Sequence, residues 1–317
     1  MKIVILDGHA VNPGDLSWDF LKAYGEVTAY DFTSQEQVVD RIRDAEIILI
    51  NKIIVDKTVL DACPKLKLIC VLATGYNVVD CEECAKRGIL VTNVPAYSTV
   101  SVTQFTFALL LELCNQVGLH DRLVHEGRWE TSPGFCFWET PQMELAGKTM
   151  GIIGFGSIGR SVGAVAKALG MQVLAYNRSR CAEGEAIGQY VDLDTLLSQS
   201  DVVSLHCPLT PQTAEIINET TIAKMKDGAI LLNTARGGVV NEQAVRDALV
   251  CGKLRGFAAD VVSQEPILPT NPLRHAPNCI LTPHMAWAPL DARKRILASV
   301  TQSIEGFLNG KPVNVVN

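Results

Sequence analysis

The stretch from Thr149 to Arg180 constrains the fold more than any other part of the chain. Gly154, Gly156 and Gly159 stand in G-x-G-x-x-G spacing directly after a short apolar run. An Ala- and Val-rich segment and a second apolar run follow, which gives the pattern of a β-α-β unit. In such a unit the glycines allow a tight turn and a close backbone approach to a pyrophosphate, and the helix N-terminus attracts the phosphate charge. The stretch therefore predicts a dinucleotide-binding site.

The end of the second apolar run bears on which dinucleotide is bound. An NAD site usually carries Asp or Glu there, to bind the ribose hydroxyls. This chain has Asn177 instead, followed by Arg178, Ser179 and Arg180. Loss of the acidic charge and gain of two cations suit an adenosine 2′-phosphate, which Arg binds well. We therefore predict that NADP(H) is favoured and NAD(H) possible; the alternative is that both arginines face solvent and either cofactor is used.

Strand-like and helix-like segments alternate on both sides of this unit. Such alternation predicts parallel sheets with helices on both faces. We predict an α/β protein with two doubly wound parallel-sheet domains, in which a Rossmann dinucleotide-binding domain is inserted in a flavodoxin-like substrate domain. The predicted substrate domain is 1–99 plus 288–317, and the predicted NAD(P)-binding domain is 100–287. A final amphipathic helix, about 290–309, is expected to pack back on the first of these.

Composition excludes several classes of protein. The formal net charge of −6 gives no electrostatic case for binding nucleic acid or an anionic membrane. We expect no signal peptide and no membrane span, and hence a cytoplasmic protein. The ten cysteines show no disulfide framework and would stay reduced in that compartment. Cys81 and Cys84 form a C-x-x-C that we interpret as part of an ordinary helix, so no metal site is predicted.

A long apolar helix is predicted over 99–118, and an aromatic-rich loop over 119–146. Trp129, Phe135, Phe137 and Trp138 lie in this loop among glycines and prolines. Exposed aromatic side chains in an extended segment favour an arm that packs against a second subunit, and so a homodimer. The alternative is a loop that closes over its own domain.

Polar residues that follow three strands of the second half suit hydride transfer at an α-keto acid. Ligands of parallel sheets bind at the carboxyl ends of the strands, where these residues would meet. Arg236 can bind a carboxylate in a bidentate fork and polarise the neighbouring carbonyl. A protonated His284 can deliver a proton, and Glu265 beside it would favour the imidazolium. Each residue alone has an ordinary structural explanation, but together they predict a catalytic trio.

The sequence resembles the D-isomer-specific 2-hydroxyacid dehydrogenase family over nearly its whole length, closest to its glycerate dehydrogenase or hydroxypyruvate reductase branch. The motifs that carry the resemblance are ATGYNVVD (73–80), GIIGFGSIG (151–159), HCPLT (206–210), LLNTARGGVVNEQAV (231–245), AADVVSQEP (258–266) and TPHMAWA (282–288). The resemblance implies a small 2-keto or 2-hydroxy acid as substrate, a homodimer, and Arg236, Glu265 and His284 as the catalytic residues.

The predicted binding residues form two sets. Substrate contacts are expected from Thr74, Gly75, Tyr76 and Arg236. The expected cofactor contacts are Thr74, Gly154, Gly156, Ser157, Ile158, Gly159, Asn177, Arg178, Ser179, Arg180, Cys207, Pro208, Thr234, Ala235, Asp260 and His284.

The activity implied by the resemblance is reduction of hydroxypyruvate, and less efficiently of glyoxylate. Other D-2-hydroxyacid dehydrogenases, such as phosphoglycerate or D-lactate dehydrogenase, are the alternatives within the enzyme class. An alternative from another class is a non-catalytic dinucleotide-sensing scaffold, because fold alone does not determine function. The intact trio favours an enzyme.

Overall fold

The computed structural model describes residues 1–317, which form two compact units. Unit 1 comprises Met1–Ser98 and Ala288–Asn317, and unit 2 comprises Thr99–Trp287. Each unit contains one sheet in which every strand pair is parallel, with helices packed on the sheet. The predicted α/β class with two parallel-sheet domains is therefore confirmed.

Unit 1 is built on a five-stranded sheet. Its strands are β1 (Lys2–Ile5), β2 (Glu26–Ala29), β3 (Ile47–Ile50), β4 (Leu68–Val71) and β5 (Leu90–Thr92). Their order is β2-β1-β3-β4-β5, the flavodoxin-like order. The central strands β3 and β4 are apolar and buried at every position, because both faces of a parallel sheet are covered.

The helices of unit 1 come from both ends of the chain. They are α1 (Val38–Ile42), α2 (Lys57–Ala62), α3 (Cys81–Lys86) and the last helix of the chain, Leu290–Leu308. The first three contribute to one hydrophobic core with the sheet, and the last contacts β4. Cys81 and Cys84 both lie on α3, as expected for an ordinary helix, and Cys84 is buried in that core. The segment Asp19–Ala23 forms a 3-10 helix.

Unit 2 is built on a seven-stranded sheet. Its strands are β6 (Thr149–Ile153), β7 (Gln172–Tyr176), β8 (Gln189–Tyr190), β9 (Val202–Leu205), β10 (Ala229–Asn233), β11 (Leu254–Ala259) and β12 (Cys279–Leu281). The order is β12-β11-β10-β9-β6-β7-β8, so the direction of chain progression reverses between β6 and β9. That reversal is the switch point at which ligands of such sheets bind. The two-residue edge strand β8 was not predicted, because so short a segment carries no periodicity.

Helices cover both faces of this sheet. The helices of unit 2 are α4 (Thr99–Asn115), α5 (Val117–His125), α6 (Ser157–Ala168), α7 (Ala182–Glu185), α8 (Leu193–Gln199), α9 (Glu219–Lys224) and α10 (Glu242–Val250). One hydrophobic core joins α4 and α6 to one face, and a second joins α8, α9 and α10 to the other. The last helix, Leu290–Leu308, is α11. None of the helices combines the length and apolar character needed to cross a bilayer.

Two predicted boundaries in unit 2 were wrong. The helix predicted over 99–118 ends at Asn115, because Gln116 adopts a left-handed conformation with φ of 47°. A second helix, α5, then occupies 117–125, so the region predicted as a loop over 119–146 is helical at its start. The two boundaries were wrong because the spacing of apolar residues carries no sign of a single residue in the left-handed conformation.

Candidate active site

The glycine-rich turn joins β6 to α6. Gly154 has φ of 93°, and a Cβ there would overlap the backbone of His206 and Cys207, so the turn lies directly against the end of β9. A Cβ on Gly159 would overlap the carbonyl oxygen of Gly154. These two glycines are therefore required by backbone conformation and packing within the protein.

Gly156 differs from the other two. A Cβ on this residue would have no neighbour within 4 Å, so nothing within the protein requires a glycine. Gly156 is also the N-cap of α6, which begins at Ser157. The first N–H groups of a helix have no partner within it and attract phosphate. Open space over these N–H groups fits a dinucleotide whose pyrophosphate approaches the backbone.

The side chain of Asn177, which follows β7, forms hydrogen bonds with the backbone of two other residues. Its Oδ1 accepts a hydrogen bond from the Phe155 N–H at 3.1 Å, and its Nδ2 donates to the Ser179 carbonyl at 2.8 Å. Sequence reasoning expected this residue to contact the cofactor, and the structure also gives it a bridging role between two loops. That role carries no sequence signal, because it depends on how the loops meet.

The two arginines beyond Asn177 lie in different surroundings. Arg178 and Arg180 are both exposed. The Arg180 guanidinium lies 5.7 Å from the centroid of the Tyr190 ring on β8, in a cation–π arrangement. The two cations therefore differ in their surroundings, because only Arg180 has an aromatic ring of β8 as a neighbour.

His284 and Glu265 are in direct contact. His284 Nδ1 lies 2.7 Å from Glu265 Oε2, with about a third of each side chain exposed (30% and 37%). His284 follows β12 and Glu265 lies in the loop after β11, so neighbouring strand ends bring them together, as the sequence predicted. His284 has φ of 53°, an uncommon conformation for a residue other than glycine.

Asp260 organises the turn that carries His284. Its carboxylate accepts hydrogen bonds from the Thr282 hydroxyl at 2.7 Å, the Met285 N–H at 2.9 Å and the Ala286 N–H at 2.8 Å. Its backbone carbonyl accepts the His284 N–H at 2.8 Å. Asp260 is 1% exposed, so these bonds form away from water. The left-handed conformation of His284 is thus held by a buried carboxylate whose part in this turn sequence reasoning missed.

Arg236 follows β10 in a turn that its neighbours define. Asn233 is 1% exposed; its side chain donates to the Arg236 carbonyl at 2.9 Å and accepts from the Ala235 N–H at 3.1 Å. The Arg236 side chain itself is exposed, and its Nη1 donates to the Ala235 carbonyl at 2.7 Å. Thr234 contacts Thr106 of α4 through their hydroxyls at 3.0 Å. Asn233 was not among the predicted site residues, although it stands in the motif.

The predicted substrate turn, Thr74–Tyr76, belongs to unit 1 and follows β4. The Thr74 hydroxyl donates to the Val94 carbonyl at 2.8 Å, and the Asn93 side chain donates to the Thr74 carbonyl at 2.8 Å. The backbone N–H groups of Thr74, Gly75 and Tyr76 make no hydrogen bond to another backbone carbonyl. The turn is thus fixed in place, with backbone donors suited to an anion.

A family model for the NAD binding domain of D-isomer-specific 2-hydroxyacid dehydrogenases matches residues 107–286. A hydroxypyruvate reductase of Blautia hydrogenotrophica is 53% identical over an alignment of 322 positions that covers 100% of both chains. The chain belongs to the D-isomer-specific 2-hydroxyacid dehydrogenase family. A glycerate dehydrogenase of Methylorubrum extorquens is 40% identical over 99% of this chain and 98% of its own. The predicted family and branch are therefore confirmed.

A solved structure extends the comparison to three dimensions. The D-lactate dehydrogenase of Aquifex aeolicus, complexed with NAD and lactic acid, matches this dehydrogenase with a TM-score of 0.84 at 30% identity. The match covers 98% of this chain and 96% of that chain. As a member of this family, the protein is an oxidoreductase with a nicotinamide dinucleotide-binding domain.

Proposed function

We propose that this dehydrogenase reduces hydroxypyruvate to D-glycerate, and reduces glyoxylate to glycolate less efficiently. The observation that carries the proposal is the contact of 2.7 Å between His284 and Glu265 at two neighbouring strand ends. The 53% identical relative is a hydroxypyruvate reductase, which supports a small polar keto acid as substrate. In this proposal unit 2 binds the nicotinamide cofactor and unit 1 is the substrate domain.

Each residue of the proposed site has a separate role in the reaction. A reduced nicotinamide, when bound, supplies the hydride for the carbonyl carbon. Arg236 binds the substrate carboxylate through its planar fork and draws electron density from the adjacent carbonyl. The N–H groups of Thr74, Gly75 and Tyr76 are proposed as further donors to that carboxylate.

His284 is the proposed proton donor. Glu265 accepts a hydrogen bond from the Nδ1–H group of His284. Nε2 is therefore the nitrogen that faces the carbonyl oxygen and gives up its proton. The Glu265 charge stabilises the imidazolium before transfer and fixes the orientation of the ring. Asp260 keeps the backbone of His284 in the conformation that this orientation requires.

The substrate proposal is tested by kcat/KM for a panel of keto acids with both NADH and NADPH. The panel contains hydroxypyruvate, glyoxylate, pyruvate, 3-phosphohydroxypyruvate and a branched keto acid. We expect hydroxypyruvate to give the highest value and glyoxylate the next. A higher value for pyruvate would indicate a D-lactate dehydrogenase, and one for the phosphorylated acid a phosphoglycerate dehydrogenase. Absence of turnover with every keto acid would favour the dinucleotide-sensing scaffold.

NADP(H) is proposed as the preferred cofactor, with NAD(H) also used. Asn177 places no negative charge where it would repel a 2′-phosphate, and Arg178 is the exposed cation next to it. Arg180 lies over Tyr190, so we assign the main phosphate contact to Arg178. One charged hydrogen bond contributes about 1.5–3 kcal/mol, equivalent to roughly a 10–100-fold preference. Solvent exposure reduces that figure.

The cofactor proposal is tested by kcat/KM for NADPH and NADH at a fixed hydroxypyruvate concentration. We expect the parent to prefer NADPH, and Arg178→Ala to lose most of that preference. Arg180→Ala is the matched control, because it removes an equal charge from the same loop and should change the ratio less. Added salt should also reduce the preference. Equal or better use of NADH by the parent would contradict the proposal.

A further inference from the structure

We propose that Glu242 is a positioning residue for proton transfer, because it holds the loop that carries Glu265 in the place where Glu265 meets His284. The inference rests on the proposed function, which assigns these two residues to the acid step. Glu242 touches neither of them. It acts on the peptide between Val262 and Ser263, which lies just before Glu265 in the chain.

Both oxygens of the Glu242 carboxylate accept hydrogen bonds from this loop. Its Oε1 accepts the Ser263 N–H at 2.7 Å, and its Oε2 accepts the Ser263 hydroxyl at 2.8 Å. The Oε2 atom also accepts from the Asn271 side chain at 2.9 Å, and Asn271 is 9% exposed. Charged acceptors make stronger hydrogen bonds than neutral ones, so this carboxylate is a strong anchor.

The helix that carries Glu242 does not need its carboxylate as a cap. Glu242 is the first residue of α10, and the N-cap is Asn241, whose Oδ1 accepts the Ala244 N–H at 2.9 Å. The carboxylate is therefore free to reach the loop. Its negative charge at the helix N-terminus is itself favourable.

The loop needs an anchor because regular structure does not hold it. Residues 263–270 are exposed and contain neither helix nor strand. Within this segment Glu265 Oε1 accepts the Val262 N–H at 3.3 Å, while Glu265 Oε2 contacts His284. Glu242 thus holds the Ser263 N–H, and the adjacent Val262 N–H donates to Glu265, which contacts the imidazole.

The same peptide also touches the Arg236 turn. A Cβ on Gly237 would overlap the Val262 carbonyl group and the Ser263 nitrogen, so the backbone directly after Arg236 lies against this peptide. The peptide is therefore held between Gly237 on one side and the Glu242 carboxylate on the other. Its position determines where Glu265 stands and also supports the turn of Arg236.

The experiment compares Glu242→Ala with a matched control, Glu219→Ala. Glu219 is likewise the first residue of a helix with an Asn cap, α9, but it is exposed and holds no loop. The charged groups placed against the His284 turn are Glu265 at Nδ1 and Asp260 at the backbone. The readouts are kcat and KM for hydroxypyruvate, and the pH above which reduction falls because the imidazolium is lost.

We expect Glu265→Gln to move this fall to lower pH, because it removes the charge that stabilises the imidazolium. Glu242→Ala should move it in the same direction and lower kcat by roughly 10-fold, with KM changed less, because a displaced carboxylate supports the acid poorly. Glu242→Gln keeps an acceptor for the Ser263 N–H and should recover part of the loss. The Glu219→Ala control should match the parent in all readouts.

The double variant Glu242→Ala/Glu265→Gln tests whether Glu242 acts through Glu265. Its pH profile should equal that of Glu265→Gln alone, since the position of an absent charge no longer matters. A Glu242→Ala variant with the parent's pH profile, even at lower activity, would overturn the inference and leave the proposed function intact. An unchanged profile in Glu265→Gln would instead overturn the acid assignment, and the inference with it.

Discussion

At the scale of single residues, burial decides the charge state of His206. This residue follows β9; its Nε2 lies 2.8 Å from the Ser204 hydroxyl, and its Nδ1 is buried without a hydrogen-bond partner. Burial lowers the pKa of His206 from 6.5 to about 3, so the folded protein keeps the ring neutral. Below pH 6.5, the ordinary pKa of histidine, the unfolded chain binds a proton at this residue and the folded protein does not. The stability that is present above this pH is therefore lost as the pH falls.

We therefore predict that acid destabilises the parent more than His206→Gln, which keeps a partner for Ser204 but does not titrate. The difference in the free energy of unfolding should reach about 2 kcal/mol at pH 5, at about 1.4 kcal/mol per pH unit below the unfolded value. Urea unfolding at pH 7 and pH 5 measures it. His275→Gln, which removes an exposed histidine, should behave like the parent. Equal acid losses in parent and His206→Gln would contradict the prediction.

The sequence indicated the groups proposed for the chemistry but not the groups that hold them. The contact between Glu265 and His284 was predictable, because polar residues that follow neighbouring parallel strands meet at one sheet edge. The roles of Asp260 and Glu242 were not, since the donors that their carboxylates bind come from loops far along the chain. Which loop meets which carboxylate depends on strand order and loop conformation, and a residue pattern does not contain that information.

At the scale of elements, the three glycines of the β6–α6 turn should respond differently to an added methyl group. Gly156→Ala meets no neighbour and should leave the free energy of unfolding within about 0.5 kcal/mol of the parent. It should weaken dinucleotide binding, because the methyl group occupies the space over the first N–H groups of α6. Urea unfolding without cofactor and titration calorimetry with NADPH measure the two effects.

Gly159→Ala is the control for this prediction, since it adds the same group three residues away. Its Cβ would overlap the Gly154 carbonyl oxygen, so it should destabilise the fold by roughly 1–3 kcal/mol through overpacking. If Gly156→Ala were the more destabilising of the two, or bound NADPH as tightly as the parent, the assignment of Gly156 to the pyrophosphate would fail.

Long and regular helices and strands could be predicted from the sequence better than short or interrupted ones. Every strand but one belongs to an apolar, strand-like run of the sequence, because strands covered on both faces of a sheet carry few polar residues. The exception, β8, has two residues, Gln189 and Tyr190, of which only the tyrosine is apolar. The break between α4 and α5 was not predicted, because the sequence does not show that Gln116 adopts a left-handed conformation.

At the scale of the whole molecule, exposed aromatic surface in unit 2 remains to be explained. Trp129, Phe135 and Trp138 are 52%, 91% and 66% exposed, which is unusual for large apolar side chains. Next to them α5 contributes Val117 and Val124 to an open apolar hollow of about 530 Å³. Aromatic anchors beside a hollow of the same surface are typical of interfaces between identical subunits.

We therefore predict a homodimer that buries this surface. Light scattering at micromolar concentration should give twice the chain mass of 34.4 kDa. Phe135→Asp should raise the dissociation constant at least ~30-fold, because it removes an anchor and buries an unpaired charge. Phe32→Asp is the matched control, since Phe32 is 69% exposed but lies in unit 1, and it should remain dimeric. A parent that is monomeric under these conditions would refute the interface, and a dimer unaffected by Phe135→Asp would place it elsewhere on the molecule.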